Sequence, residues 1–295
     1  MELIPIQDFN SEISLSDYAQ LEAGNILFYH GVPIEFSQDD LQFLLSQRLT
    51  EAPYHKNIAY RPAEDSLTGT ARGSDAERLR RLMRSFSEQS ARLLARLLAR
   101  YAASWRLDYA SFRPCEEEGR PLRLHARNDL LHFDAFPTRP TGGDRILRFF
   151  VNLNPEKSRV WVTTDPFPTL AERFAEAAGL VRSARHAQSP VRRLARQWGL
   201  PGARRAPYDA IMHRFHNFLK ENAGFQQTCP KQQWSFPPQS SWLVFTDMVS
   251  HAVLSGQMAL EQTFIISRRA MLRPELAPAA ILERLAGAPV TWDSP

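Results

Sequence analysis

Two blocks of strand-like sequence, about residues 107–165 and 240–267, flank a long helical stretch. This arrangement constrains the fold more than any other feature of the chain. Each block consists of short apolar or alternating runs punctuated by Pro, Gly and Asn, the pattern of β-strands joined by turns. "RILRFFVNLNP", "RVWVTTDPF" and "SSWLVFTDMVSHAVLSGQMALEQTFII" are the clearest runs, and "LRLHARNDLLHFDAFP" is read the same way. Strands so far apart in sequence must meet across the helical insertion, and together they can form one sheet system closed around a site. An α+β fold is predicted, as one domain over 1–295. It has a helical N-terminal part over about 1–106 and a helical insertion over about 166–224.

The remaining segments fit this frame. "ILFYHGVPIEF" suggests a short strand pair, and Ser37 with Asp39 and Asp40 marks the start of a helix in "SQDDLQFLLSQ". Residues 54–73 are polar and read as a loop. Residues 74–104 carry Leu79, Leu82, Phe86, Leu93, Leu94 and Leu97 at helical spacing, with Ser74 and Asp75 as caps. Arg78, Arg81, Arg84, Arg92, Arg96 and Arg100 decorate its outer face, where a solvated surface is the ordinary expectation and contact with an anionic surface the sharper one. Arg182 to Arg205 holds seven arginines and no acid, with Pro190, Pro201 and Gly202, and reads as a surface excursion. "YDAIMHRFHNFLKENAG" is helical, and "PELAPAAILERLAG" gives a terminal helix.

Composition narrows the function classes. No apolar run is long enough to cross a bilayer. The first residues, "MELIPIQDFNSEISLSDY", carry early acids and do not read as a secretion signal. Cys115 and Cys229 are the only cysteines, too few for a disulfide framework, so a reducing cytoplasm is expected. A net charge of +4 and a pI near 9.3 suit an anionic partner. The arginine runs lack aromatic interleaving and any nucleic-acid motif, so a basic module binding nucleic acid or anionic membrane is the weaker class of reading.

The chemistry starts at His132-Phe133-Asp134. In a strand, residues two apart face one side, so imidazole and carboxylate can share an ion. His-x-Asp alone is a weak signal. His251, 119 residues later in "FTDMVSHAVLSGQ", supplies a second imidazole. Two His and one carboxylate on one face of an octahedron leave open positions, the arrangement of non-haem Fe(II) oxygenases, whereas a structural zinc site fills all four of its positions. A 2-oxoglutarate co-substrate then needs a buried cation for its far carboxylate, best a bidentate Arg. The segment after His251 offers Glu261 and Gln262 instead. Arg148, within "GDRILRFFVNLNP", can face inward, an orientation that is costly without a partner. Arg145 competes with it but sits nearer the turn, where exposure is expected. Asn152, Gln257 and Gln262 are candidate hydrogen-bond donors to 2-oxoglutarate or substrate, with ordinary strand-to-strand bonding as the alternative. His213 and His216 sit one helical turn apart without a carboxylate and read as a polar helix face.

The segments "HFDAFPTRPTGGDRILRFFVNLNP", "RVW", "FTDMVSHAVLSGQMALEQTF" and "YDAIMHRFHNFLKE" resemble the Kdo hydroxylases, Fe(II)/2-oxoglutarate-dependent dioxygenases of Gram-negative bacteria. The resemblance runs from about residue 22 to the C-terminal helix. It implies a double-stranded β-helix (jelly-roll) core flanked by helices. It also implies hydroxylation at C3 of a Kdo sugar carried on lipid A, giving Ko with succinate and CO2 as co-products. The implied metal ligands and catalytic centre are His132, Asp134 and His251. The implied 2-oxoglutarate anchor is Arg148, with Fe(II), 2-oxoglutarate and O2 as cofactors, and Asn152 and Gln262 stand beside it as the candidate cofactor contacts read from the strands themselves. Asp134 also argues against halogenation, which needs a small residue there. Arg139, Arg145, Arg127 and Gln257 are the candidate substrate contacts, with His125 at the cavity mouth. "GRPLRLHARNDLL" departs from the Trp-Arg-x-Asp-Asp type of segment associated with the family, and "RVWVTTDPF" lacks the Arg that often follows the Trp. A free anionic small molecule is therefore the alternative substrate class. The basic surface suits peripheral contact with the inner-membrane face, and a homo-oligomer is left open.

Overall fold

The computed structural model describes residues 1–50, 56–189, 198 and 206–292. Among these residues, eleven strands form two sheets. The larger has the order β1 (Leu3–Pro5), β2 (Ile26–Tyr29), β9 (Ser241–Phe245), β6 (Arg145–Asn152), β11 (Ala259–Ile266), β5 (Trp105–Arg113), β3 (Ile58–Arg61) and β4 (Ser66–Thr68). The smaller has the order β10 (Val249–Ser255), β7 (Arg159–Pro166) and β8 (Gln232–Phe236). Among the described residues, only the β1–β2 pairing is parallel. Strands from the two sequence blocks interleave, since β6 lies between β9 and β11 and β7 pairs with β10.

Strand alternation divides the core. Phe150 of β6, Trp242 and Val244 of β9, Trp161 of β7 and Val249 and Val253 of β10 fill one end of the gap between the sheets. Their ring contacts are close: Phe236 stacks on Trp242 at 3.9 Å, and Trp161 meets Phe150 edge-on at 5.0 Å. The intervening residues, Leu147, Phe149 and Val151 of β6 and Leu243 and Phe245 of β9, face the opposite way into the helical layer. There the helix Ala76–Leu97 contributes Leu79, Met83, Phe86, Leu94 and Leu97. Asp75 caps this helix through the Arg78 amide, and Ser37 caps Gln38–Ser46 through the Asp40 amide. On the smaller sheet's outer side, Phe133, Phe167 and Phe215 pack together, the last on the helix Pro207–Glu221.

Several expectations need correction. The N-terminal part is not purely helical, because it supplies β1 to β4. The polar segment read as a loop contains β3 and β4, where β5 supplies the backbone pairing and only Ile58 and Tyr60 of β3 are buried. "ILFYHGVPIEF" forms one strand, β2, rather than a pair. β8 was not anticipated because Gln232, Gln233 and Ser235 are exposed on an edge strand. "LRLHARNDLLHFDAFP" is not a regular strand: it holds a 3-10 turn at Leu124–Ala126 and a single bridge at His132. Much of the arginine-rich excursion, residues 190–197 and 199–205, lies outside the described residues. The arginines of the long helix are largely neutralised. Arg78 pairs with Asp40, Arg80 with Asp65 and Glu77, Arg84 with Asp65, and Arg92 lies near Glu88, which favours the solvated-face reading.

Candidate metal centre and anion-binding cavity

His132 and Asp134 are held against the smaller sheet by a few backbone bonds rather than by a strand. The His132 amide donates to the His251 carbonyl at 3.1 Å, and the His251 amide returns the bond at 3.0 Å. The Asp134 amide donates to Thr246 at 2.9 Å, and the Val253 amide to Asn128 at 2.8 Å. These bonds bring one ligand atom each from His132, Asp134 and His251 within 4.8 Å of one another, and all three residues are buried.

The imidazoles are oriented for coordination. His132 Nδ1 lies 2.6 Å from the Leu130 carbonyl and His251 Nδ1 2.9 Å from the Val249 carbonyl. A carbonyl only accepts, so each Nδ1 carries the proton and each Nε2 keeps its lone pair for a metal. Trp161 stacks on the His251 ring at 5.1 Å, and the His216 ring meets that of His132 at 4.8 Å. Burial lowers the pKa of both ligand histidines, that of His132 well below the usual value, which favours the neutral form that binds metal. Burial works against an ionised Asp134, yet the Arg148 guanidinium, helped by the Thr246 hydroxyl, outweighs it and holds its pKa at about 2.

The triad opens on a cavity of about 650 Å³. Every second residue of five strands reaches it: Tyr109, Ser111 and Arg113 of β5, Arg148 and Phe150 of β6, Arg159 and Trp161 of β7, His251 and Val253 of β10, and Glu261 and Thr263 of β11. Arg148 Nε lies 3.1 Å from Asp134 Oδ2, and Arg148 Nη1 donates to Glu261 at 3.3 Å. Arg113 grips Glu261 with two bonds of 3.1 Å. Burial works against an ionised Glu261, and Arg113 and Arg148 overcome it, holding the carboxyl at about 2. Behind them Glu117 meets Arg113 and Arg159, each at 3.4 Å. Arg159 Nε is buried with no hydrogen-bond partner, and Asp134 Oδ2 and Arg148 Nε, 3.1 Å apart, meet as an ion pair whose geometry does not make a hydrogen bond. Such groups are costly unless a ligand completes them.

Placement separates the other candidates. Arg139 borders the cavity, salt-bridged to Asp108 and flanked by Tyr109 and Phe136 at 4.1 and 4.0 Å. His125 also reaches the rim, bonded to Glu221 at 2.6 Å. Arg145 is the reverse of an exposed turn residue: it is fully buried and paired with Asp247 at 2.9 and 3.2 Å, away from the cavity. Asn152 is spent on the carbonyls of Lys157, Phe236 and Pro237, and Gln262 on those of Asp108 and Thr263. Arg127 pairs with Asp129 outside the lining, and Gln257 lies in the β10–β11 turn, also outside it. His213 and His216, read as a polar helix face, both line the cavity, because that helix lies against the ligand segment: His216 Nδ1 donates to the Phe133 carbonyl at 2.7 Å and its ring meets that of His132.

Sequence reasoning missed Arg113, Arg159, Lys56 and Lys220. The alternation Tyr109-x-Ser111-x-Arg113 and the pair Arg159-x-Trp161 carried a signal for the two arginines. The lysines carried none, since Lys56 sits in a polar segment and Lys220 near a helix end. Burial depresses Lys220 to about 7 and Lys56 to about 8, the Lys56 charge adding to the first and Arg113 to the second.

The family described as 3-deoxy-D-manno-oct-2-ulosonic acid (Kdo) hydroxylase matches residues 6–289. The chain belongs to the Kdo hydroxylase family. The chain is similar throughout to solved structures of the Kdo hydroxylase KdoO, a non-haem Fe(II) α-ketoglutarate-dependent dioxygenase. The structure with α-ketoglutarate and Fe(III) is 30% identical with a TM-score of 0.81, covering 100% of this chain and 99% of that one. The cobalt(II) complex is 31% identical with a TM-score of 0.82, covering 99% and 98%. The succinate and Fe(III) complex is 31% identical with a TM-score of 0.80, covering 99% and 98%. No curated protein matches the chain. No described helix of this family member is long and apolar enough to cross a membrane.

Proposed function

We propose that the chain is an Fe(II)/2-oxoglutarate-dependent hydroxylase acting at C3 of a Kdo sugar on lipid A. The observation that carries this reading is a buried two-His, one-carboxylate set opening on a cavity floored by Arg113, Arg148 and Arg159. His132 and His251 offer Nε2, and Asp134 a carboxylate oxygen, as iron ligands. Three ligands leave room for a co-substrate that binds through two oxygens. Bound iron and 2-oxoglutarate supply the oxidising chemistry with O2.

The chain's own residues bind, orient and exclude water. Arg148 anchors the far carboxylate of 2-oxoglutarate, with Arg113 and Arg159 beside it, and the Nε atoms of Arg148 and Arg159, which make no hydrogen bond here, are donors a dicarboxylate would take up. Glu261 keeps the arginine side chains in place while no co-substrate is present. Trp161 fixes the His251 ring, and Phe150 and Trp161 close the cavity on its aromatic side. Arg139 offers the substrate a guanidinium face, its charge already balanced by Asp108. The two face-to-face sheets support a double-stranded β-helix within one domain, and the basic balance of the chain supports peripheral contact with an anionic membrane face.

Anaerobic addition of Fe(II) and 2-oxoglutarate tests the centre. The weak visible charge-transfer band of a chelated complex is expected in the wild type and not in His132→Ala or His251→Ala. Arg148→Met should raise the 2-oxoglutarate concentration for half-formation by about tenfold or more, because a charge-assisted bond is lost. A band of unchanged strength in both His variants would refute the assigned ligands.

A further inference from the structure

Six cations line the cavity: Lys56, Arg113, Arg139, Arg148, Arg159 and Lys220. The four arginines are each within 4.0 Å of a carboxylate, supplied by Glu261, Asp108, Asp134 and Glu117. Among the described residues, neither lysine has such a partner, the salt bridges of the cavity being made by arginines and by His125 and His132. Lys220 is buried, and its Nζ donates to the carbonyls of His125 at 3.1 Å and Arg127 at 2.7 Å. An ammonium has three donors, so one remains beside the cavity. The charges of both lysines bear on His216, whose ring packs on the metal-ligand candidate His132. Lys220 comes from the helix Pro207–Glu221, one turn from His216, and Lys56 from the segment just before β3, whereas Arg113, Arg148 and Arg159 come from strands β5, β6 and β7.

A buried ammonium without a counter-charge is expensive, and burial depresses both groups. A carboxylate placed between them would relieve that cost. The arginine floor, already supplied with Glu261, suits one dicarboxylate. A second anionic molecule in the same cavity needs its own cations.

We propose that Lys56 and Lys220 form a second anion subsite that holds the carboxylate of the sugar acid being hydroxylated. This rests on the sugar-acid reading above. It makes the two lysines determinants of substrate selection, since a neutral sugar would leave both charges uncompensated.

Steady-state turnover of Kdo-bearing lipid A, and of the same lipid with its Kdo carboxyl methylated, tests the subsite alongside 2-oxoglutarate affinity from the anaerobic visible band. Lys56→Met, whose side chain makes no hydrogen bond among the described residues, is the main variant, and Lys220→Met the second. Each is expected to raise KM for the lipid by about tenfold or more while leaving 2-oxoglutarate affinity within about twofold. Each should also lose the wild type's preference for the free carboxyl over the methyl ester, and Lys56→Arg should recover most of it. Unchanged KM and preference in Lys56→Met would overturn the subsite while leaving the Kdo assignment standing. A loss of 2-oxoglutarate affinity instead would give the lysines to the co-substrate and equally overturn it. Wild-type enzyme that forms the band but turns over neither lipid would remove the sugar assignment and the subsite together.

Discussion

Glu261 shows how one residue can reverse a sequence-based expectation. It stands where a cation was sought, and it faces the cavity as the partner of Arg113 and Arg148. Its carboxyl is held at about 2, below the ordinary value, so its ionised form favours the folded state. The contribution is full above the unfolded value of 4.5 and is lost as pH falls from there towards 2. Wild-type stability to denaturant should therefore fall over this window, by up to about 3 kcal/mol from this group alone. Glu261→Gln should be less stable at pH 7 and show a shallower decline below pH 4.5, as read from urea midpoints across pH. Equal slopes for both proteins would remove Glu261 from that role. The His132, Asp134 and His251 set was legible because ligand residue types are few and their spacing is distinctive. Arg145 was misjudged because nearness to a turn says nothing of a buried Asp247 102 residues away.

Among the elements, the β10–β11 turn holds β7 in position. Gly256 has φ +112, and a Cβ there would lie 2.8 Å from the Arg159 Cα. Its carbonyl accepts a 3.0 Å bond from Arg159 Nη1. Gly256→Ala must therefore shift the strand that carries Arg159 and Trp161. Roughly 1–3 kcal/mol of stability should be lost. Affinity for 2-oxoglutarate should weaken with it, whereas an alanine in an open turn would change neither. The strong strands β6, β9, β10 and β11 were legible because burial on both faces makes them rich in apolar residues. The edge strands β4 and β8 and the short β3 beside β4 were not, since pairing to a neighbour needs no apolar sequence on the solvent side. The ligand segment was expected to be a strand because His132 and Asp134 alternate. A single bridge with β10 and one bond to Thr246 place both side chains just as well.

At the scale of the molecule, the metal centre ties three separate parts of the chain together: the segment before β6, strand β10 and, through His216, the helix of the insertion. Ligands that bind only the folded state stabilise it, by about 2.7 kcal/mol at a hundredfold excess over Kd. Fe(II), or Co(II) as an oxygen-stable substitute, should raise the melting temperature, and a chelator should reverse the rise. His251→Ala should remove the response. The two-block pattern conveyed that distant strands had to meet, and the motif residues conveyed the family. The separation of the cavity's paired arginines from its lysines was not legible. It depends on where the helix Pro207–Glu221 and the segment before β3 meet the cavity, and on pairs such as Arg113–Glu261 that are 148 residues apart. The central claim is hydroxylation of a Kdo sugar on lipid A, and product analysis tests it most directly. Purified protein with Fe(II), 2-oxoglutarate, O2 and Kdo-bearing lipid A should yield a Kdo unit one oxygen atom heavier, hydroxylated at C3, with one succinate per product. Succinate release that does not depend on the lipid, with the sugar recovered unchanged, would contradict it.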